Sequence, residues 1–450
     1  MNEKHKSGPG QRSRRMASVG LASVAMTGML LTPTSLAGAA GLGRHLASNG
    51  KVAAGQNIVL TEQDWWGSQP QSGAFDWLFK TYEQTHPGIT ISRDVVSGSI
   101  FTAKLTDEAQ AHTLPDIAVA DNPVMPQMEA TGQFFPLNAE INKWGQWDDY
   151  VPSTRSIVTA PDGKIYGIQI GTNDLVMFYN KKIFAEAGIT TTPVTWAQLY
   201  TDSQQIVAKV KGLTYGAISF GAQTGSCDAG WQFAAWLLSG GAKLSVPDIT
   251  NPGTVAALTL WAKLVKNGLA SKNVLSMCQT TNLPWLEQGK VAMIEDGTWD
   301  LATLTADHTL NQIGFFKMPV ESAADSTGVP LGGEVWTITD QTPAIEQAAW
   351  NFLQWSQQPS ILYQFDNKMD YLALRSSVYA QQEKANPILT PFIQELVTAR
   401  SRTQYLGGEY TTYCNDVSVA VQQAILGEAT PLAALQSAQK AVEAQAGSNG

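Results

Sequence analysis

Residues 163–189, GKIYGIQIGTNDLVMFYNKKIFAEAGI, restrict what this chain can fold into more than any other stretch. Ile165, Ile168 and Ile170 mark a short β-rich run, and the turn-formers Gly171-Thr172-Asn173-Asp174 interrupt it. Leu175-Val176-Met177-Phe178-Tyr179 then resumes as a strand. A helical segment at 181–187 follows and is closed by Gly188, the residue type that ends helices in the left-handed conformation. A chain that leaves one sheet, offers an amide and a carboxylate at the crossing, and enters a second sheet describes a cleft between two lobes. Asn173 and Asp174 are then expected to face that cleft.

The segments on either side agree with this reading. A strand at 57–61, a helix at 73–86 with Phe75, Phe79 and Tyr82 at helical spacing, a strand at 89–91, a helix at 101–112 and a strand at 116–120 form a β-α-β-α-β run. Such alternation implies an α/β fold with mainly parallel sheets and helices on both faces, and ligands collect beyond the carboxyl ends of the strands. Trp65, Trp66 and Asp121 fall at such ends. Further on, a strand at 289–294 stops at Asp296-Gly297-Thr298-Trp299, and the loop Leu331-Gly332-Gly333-Glu334 precedes a strand at 335–338. Helices are expected at 344–357, 391–401 and 417–426, with a surface-facing helix at 429–444. At 450 residues the chain can build two substantial cores.

A formal charge of −9 argues against a nucleic-acid footprint, since phosphate binding needs a clustered basic surface. Residues 1–39 read as an export signal: Lys4, Lys6, Arg12, Arg14 and Arg15 precede an apolar run at 16–31, and Ala37-Gly38-Ala39 supplies small residues for cleavage. The apolar run is shorter than the about 20 residues of a spanning helix. Arg14-Arg15 leaves the twin-arginine and general export routes both open. Residues 40–56 read as a flexible lead-in. Three cysteines allow three single pairings in an exported protein; Cys227 with Cys278, leaving Cys414 free, is the first expectation. The sequence contains no HExxH, CxxC, GxSxG or GxxxxGK[ST] pattern, so no catalytic set, metal or cofactor is expected.

The order of residues resembles the extracellular solute-binding proteins of ABC importers, in particular their carbohydrate-binding group. Gly163-Lys164-Ile165-Tyr166-Gly167-Ile168, Asn173, Tyr179-Asn180-Lys181, Phe184, Ala187-Gly188-Ile189, Pro193, Thr195-Trp196 and Leu199 match one block of that pattern, departing from it at Ile165, where an aromatic is usual. Leu114-Pro115-Asp116-Ile117, Gly289-Lys290-Val291-Ala292-Met293 with Gly297 and Trp299, Gly314-Phe315 with Pro319 and Leu331-Gly332-Gly333, and a block at 372–376 follow in family order. The resemblance implies a two-lobe periplasmic-binding-protein fold of type II, with 57–172 and 318–368 as the N-lobe and 173–317 and 369–445 as the C-lobe. It implies a monomer that closes like a hinged clamp over a mono- or oligosaccharide and delivers it to ABC permease subunits, outside the cell or in a periplasm. Its lipidated members carry a cysteine directly after the signal, whereas the first cysteine here is Cys227.

A sugar presents hydroxyls that want paired donors and acceptors, and C–H faces that lie flat on aromatic rings. The candidates are therefore aromatic and polar residues in loops. Trp65 and Trp66 follow the first strand, and one of them can instead pack inside. Asp121 matches a ligand position or caps the next helix. Asn173 takes the family's ligand-facing crossing position, with Asp174 beside it. Asp228 can cap the helix near Trp231, and Trp231 can stack on sugar or pack. Trp299 matches the family's stacking platform. Gly332 and Gly333 would let backbone approach a ligand. Glu334, Trp336, Arg375 and Tyr413 complete the set, Trp336 with a core-strand alternative and Arg375 with a lobe-bridging one. A secreted glycoside hydrolase is the rival class, with Asp121 and Glu334 as its carboxylate pair; such pairs stand about 5–9.5 Å apart. A third reading, a binding protein for another polar solute, calls for a cleft lined by cations.

Overall fold

The computed structural model describes residues 57–67, 71–225, 228–322 and 325–446. The expected leader at 1–39, the lead-in at 40–56 and Cys227 lie outside them. Nine strands form two sheets among the described residues. The first sheet has the order β2-β1-β3-β9-β4, from β1 (Ile58–Asp64), β2 (Ile89–Val95), β3 (Ile117–Asp121), β4 (Gly167–Gln169) and β9 (Glu334–Ile338). The second has the order β6-β7-β5-β8, from β5 (Leu175–Asn180), β6 (Ile218–Ser219), β7 (Met293–Gly297) and β8 (Ile313–Phe316).

The expected parallel run holds for β1, β2 and β3, which are joined by the helices Ser72–Thr85 and Gly98–Ala111. The sheets as wholes are mixed. β9 lies antiparallel between β3 and β4, and β5 lies antiparallel between β7 and β8. Each of these two strands enters its sheet straight from the other one, without the helical crossover that turns a chain round to run parallel with its neighbour.

The chain crosses between the sheets around 170–174, again at 317–333, and a third time after the helix Pro359–Met369. The crossings are bonded to one another. Thr172 and Leu372 exchange backbone hydrogen bonds of 3.0 and 2.8 Å, and the Gly332 amide donates to the Asn173 carbonyl at 2.9 Å.

Behind the first sheet, Trp336 is fully enclosed, with its ring centroid 5.7 Å from Phe75 and 5.6 Å from Phe352, both edge-on. This corrects the expectation that Trp336 reaches ligand. It stands two residues into a strand with neighbours on both edges and helices above it, and so takes the core place. Behind the second sheet, Trp261 packs flat on Phe220 and edge-on to Phe233 and Trp236.

The helix Pro431–Ala446 lies on the surface, as expected, and buries one face, Ala434, Leu435, Ala438 and Val442, against the helix Tyr410–Leu426. One further expectation changes. Cys278 is a free thiol and Cys414 is disulfide-bonded, which overturns the Cys227–Cys278 pairing. Cys414 sits where the helices Asp228–Ser239 and Tyr410–Leu426 touch: the Gly230 amide donates to Ser418 Oγ at 2.8 Å, and a Cβ on Gly230 would fall 2.5 Å from Cys414 Sγ. Among the described residues no helix is long and apolar enough to cross a membrane.

Emptying the volume of a fully enclosed indole leaves a cavity that its neighbours only partly fill. Trp336→Ala is expected to lower the free energy of urea unfolding by about 3–5 kcal/mol. The same truncation at half-buried Trp299 is expected to cost less.

Candidate ligand cleft

A cavity of about 800 Å³ opens where the carboxyl ends of β1, β3 and β7 meet the start of β9, a volume suited to a small organic ligand. One wall is a stack of rings. Trp65 lies on Trp66 at 4.5 Å, and Trp66 lies on Phe75 at 4.7 Å. The preceding Asp64 anchors this stack. It accepts the Trp66 amide at 2.7 Å and holds Arg93 through Nε and Nη2, while Arg93 donates to the Trp66 carbonyl at 3.1 Å. Trp65 is the half-buried outer member, and both indoles line the cavity.

Trp299 forms a second wall. A Cβ on Gly297 would stand 2.0 Å from its ring, so the Gly-x-Trp spacing exists because the indole folds down over a residue without a side chain. Trp231, in the helix Asp228–Ser239, forms a third, with the guanidinium of Arg402 4.6 Å above its ring.

Arg402 and its neighbour Tyr410 were invisible to sequence reasoning. Arg402 reaches back to β3, donating to Asp121 at 3.0 Å, to Asn122 Oδ1 at 2.9 Å and to the Leu331 carbonyl at 3.1 Å. Asp121 is therefore an ion-pair partner on the cavity lining; its side chain does not cap the short turn Asn122–Val124.

Glu334 lies on the floor, 8% exposed, and accepts the hydroxyl of Tyr371. Burial, then the charge of Asp121, pushes its carboxyl up to about 8. Asn173 lines the floor beside it. Gly332 and Gly333 line the cavity too, but the close approach they permit is between crossings. A Cβ on Gly332 would fall 1.9 Å from Asn173 Oδ1, and one on Gly333, where φ is +91°, would fall 2.5 Å from the Gly171 carbonyl oxygen.

Four expected residues lie off the cavity. Trp336 is in the core. Asp174 points away from its neighbour Asn173 and is fully buried, its carboxyl held well above the usual range by burial and then by Glu395. Arg375 has the bridging role: it donates to Asp149 at 2.9 Å, Gln146 at 2.6 Å and the Gln357 carbonyl at 2.7 Å. Tyr413 sits almost one turn deeper in its helix than Tyr410, which takes the cavity position. The side chain of Asp228 lies outside the described residues.

Several lining atoms are buried with no hydrogen-bond partner: Trp299 Nε1, Asp300 Oδ2, the Tyr410 hydroxyl and Gln279 Oε1. Donors and acceptors alternating with flat rings can hold a polyol by its hydroxyls and its C–H faces together.

The family model for bacterial extracellular solute-binding proteins matches residues 77–391. A binding protein of Brucella abortus is 26% identical over 382 residues, covering 81% of this chain and 87% of its own. A maltooligosaccharide ABC transporter solute-binding lipoprotein of Streptococcus pneumoniae is 25% identical over 290 residues, 59% of this chain and 62% of its own. The crystal structure of a cyclic alpha-maltosyl-1,6-maltose binding protein from Arthrobacter globiformis superposes with a TM-score of 0.76 at 26% identity, covering 86% of this chain and 98% of that one. With its family pattern running through both sheets and their crossings, the chain belongs to the bacterial extracellular solute-binding proteins.

Proposed function

We propose that this protein captures an oligosaccharide in the cleft, outside the cell or at its surface, and hands it to the membrane subunits of an ABC importer. The observation that carries the reading is the ring-lined cavity itself: Trp65, Trp66, Trp231 and Trp299 stand around unpartnered donors and acceptors at the ends of strands from both sheets. The names of the maltooligosaccharide-binding and cyclic maltosyl-maltose-binding relatives support it. The working parts are two lobes, 57–172 with 318–368 and 173–317 with 369–445. A sugar touching both at once stabilises the closed arrangement, which is a population shift and not chemistry.

The carboxyl groups of Asp121 and Glu334 are both committed, one to Arg402 and the other to Tyr371, which favours grasping over cleavage. Sustained release of reducing sugar, abolished by Glu334→Gln, would establish the hydrolase instead.

A panel of mono- and oligosaccharides, followed by tryptophan fluorescence and thermal melting, tests the proposal. A bound sugar at about 100 times its Kd raises stability by about 2.7 kcal/mol; no response to any member overturns it. Trp299→Ala is expected to weaken binding of the responding sugar by about 1.5–3 kcal/mol, roughly ten- to a hundredfold in Kd, through the lost stacking face.

The Glu334 carboxyl gives a pH signature in the free protein. Its folded value, about 8, lies above its ordinary one, so the folded state holds a proton that the unfolded chain releases. Its contribution is fully present below the ordinary carboxylate range and is lost as pH rises through about 8. Glu334→Gln keeps an acceptor for Tyr371 and cannot ionise. Its melting temperature is expected to fall less than the parent's between about pH 5 and pH 9.

A further inference from the structure

The cleft has a charge pattern that the sugar reading alone does not require. Its lining carries three carboxyl side chains, Asp121, Asp300 and Glu334. Among the described residues Arg402 is the one basic side chain there, and its charge is paired: Nη2 donates to Asp121, Nε is shared between Asn122 Oδ1 and the Leu331 carbonyl, and the Trp231 ring lies beneath it.

Asp300 has no cation of its own. Its Oδ2 is buried without a partner, directly after the unpartnered indole N–H of Trp299. The carboxyl of Asp296 stands within hydrogen-bonding reach behind it, and burial above all, then the charge of Asp300, holds Asp296 well above the usual carboxylate range. A further buried group without a hydrogen-bond partner, the Tyr410 hydroxyl, belongs to a residue 2% exposed on the same lining.

An incoming anion would meet these carboxyls, and the one positive charge on the lining is already paired with Asp121, a pairing the anion must share or break. An incoming ammonium would meet aromatic faces, which attract cations, and carboxyl groups that its charge draws into the ionised form.

We propose that the cleft selects its saccharide by charge, favouring a sugar that carries a basic nitrogen over its neutral parent and rejecting one that carries a carboxylate or phosphate, with Asp300 as the specificity-determining residue. This rests on the saccharide-binding reading and sharpens it.

Isothermal calorimetry on the full chain at about pH 6.5 compares three forms of maltotriose: the parent, the derivative with each 6-hydroxyl replaced by an amine, and the derivative with each 6-carbon oxidised to a carboxylate. The glucosamine trimer with its N-acetylated counterpart, and sn-glycerol 3-phosphate, complete the set. The amine form is expected to bind at least about tenfold tighter than its neutral parent and the carboxylate at least about tenfold weaker, with glycerol 3-phosphate silent. Raising salt is expected to shrink the amine's advantage and leave the neutral parent unmoved. In Asp300→Asn the amine-to-parent affinity ratio is expected to fall about tenfold.

A neutral parent binding as tightly as its amine form, a carboxylate or phosphate binding as tightly as the parent, or an unchanged ratio in Asp300→Asn overturns the inference while leaving the sugar reading intact. No binding by any saccharide of the set overturns both.

Discussion

The backbone of one residue, Gly332, ties together two of the crossings between the sheets of this protein. The carbonyl of Gly332 accepts side-chain donors from the end of β3, from β4 and from the first crossing: Asn122 Nδ2 at 2.9 Å, Gln169 Nε2 at 3.2 Å and Thr172 Oγ1 at 2.9 Å. Its amide meanwhile donates to the Asn173 carbonyl. Buried polar groups in a crossing must find such partners or lose the cost of leaving water. A side chain at Gly332 would collide with Asn173, and one at Gly333 with the Gly171 carbonyl, so both positions need glycine before any ligand is considered. The cleft floor is thus the outer face of a hydrogen-bonded knot, and its shape follows from the knot.

The walls are set by different forces. The Trp65–Trp66–Phe75 stack is held by ring contact and by the Asp64–Arg93 pair, whose carboxylate is fully buried and whose bonds reach the Trp66 amide and carbonyl at once. Breaking that pair would leave a buried charge without its partner, so it fixes the stack more firmly than stacking alone. Arg402 plays the matching part on the far side, tying β3 to the Trp231 ring. The Trp65–Trp66 wall and the Trp231 wall therefore each rest on an arginine, Arg93 behind the lining and Arg402 on it.

Much of this architecture was legible in the sequence because periodicity and punctuation act locally. The break at 171–174, the helix Lys181–Ala187 closed by Gly188 and the strand endings before Trp65, Asp121 and Trp299 all follow from residues close together in the chain. What was not legible depends on partners far apart. Arg402 lies in an unpatterned stretch, and only folding brings it 281 positions back to Asp121. Asp174 and Asn173 have the same turn chemistry in sequence, yet alternation along the backbone sends one to the cleft and the other inside. Tyr413 and Tyr410 differ by less than one helical turn, and the helix's packing against its neighbour decides which one meets the cavity. The expectation of mainly parallel sheets does not extend to β9 and β5 for a related reason: the alternation rule describes strands joined by helices, and these two are joined by bare crossings.

Where the chain places its uncompensated carboxyls bears on how such a cleft can respond to a ligand. Asp174, Asp296 and Asp366 are fully buried, have carboxyl oxygens without hydrogen-bond partners, and are pushed well above the usual carboxylate range chiefly by burial. Asp174 closes the first crossing, Asp296 is the last residue but one of β7, behind Trp299, and Asp366 stands where a Cβ on Gly171 would fall 2.6 Å from its carboxyl oxygen. Acid groups of this kind are tolerated because each can keep its proton, and each makes ionisation nearby more costly. A ligand that brings positive charge to the cleft lowers that cost, and one that brings negative charge raises it. The same burial that holds the crossings rigid thus makes the cleft's preference depend on the ligand's charge as well as on its shape.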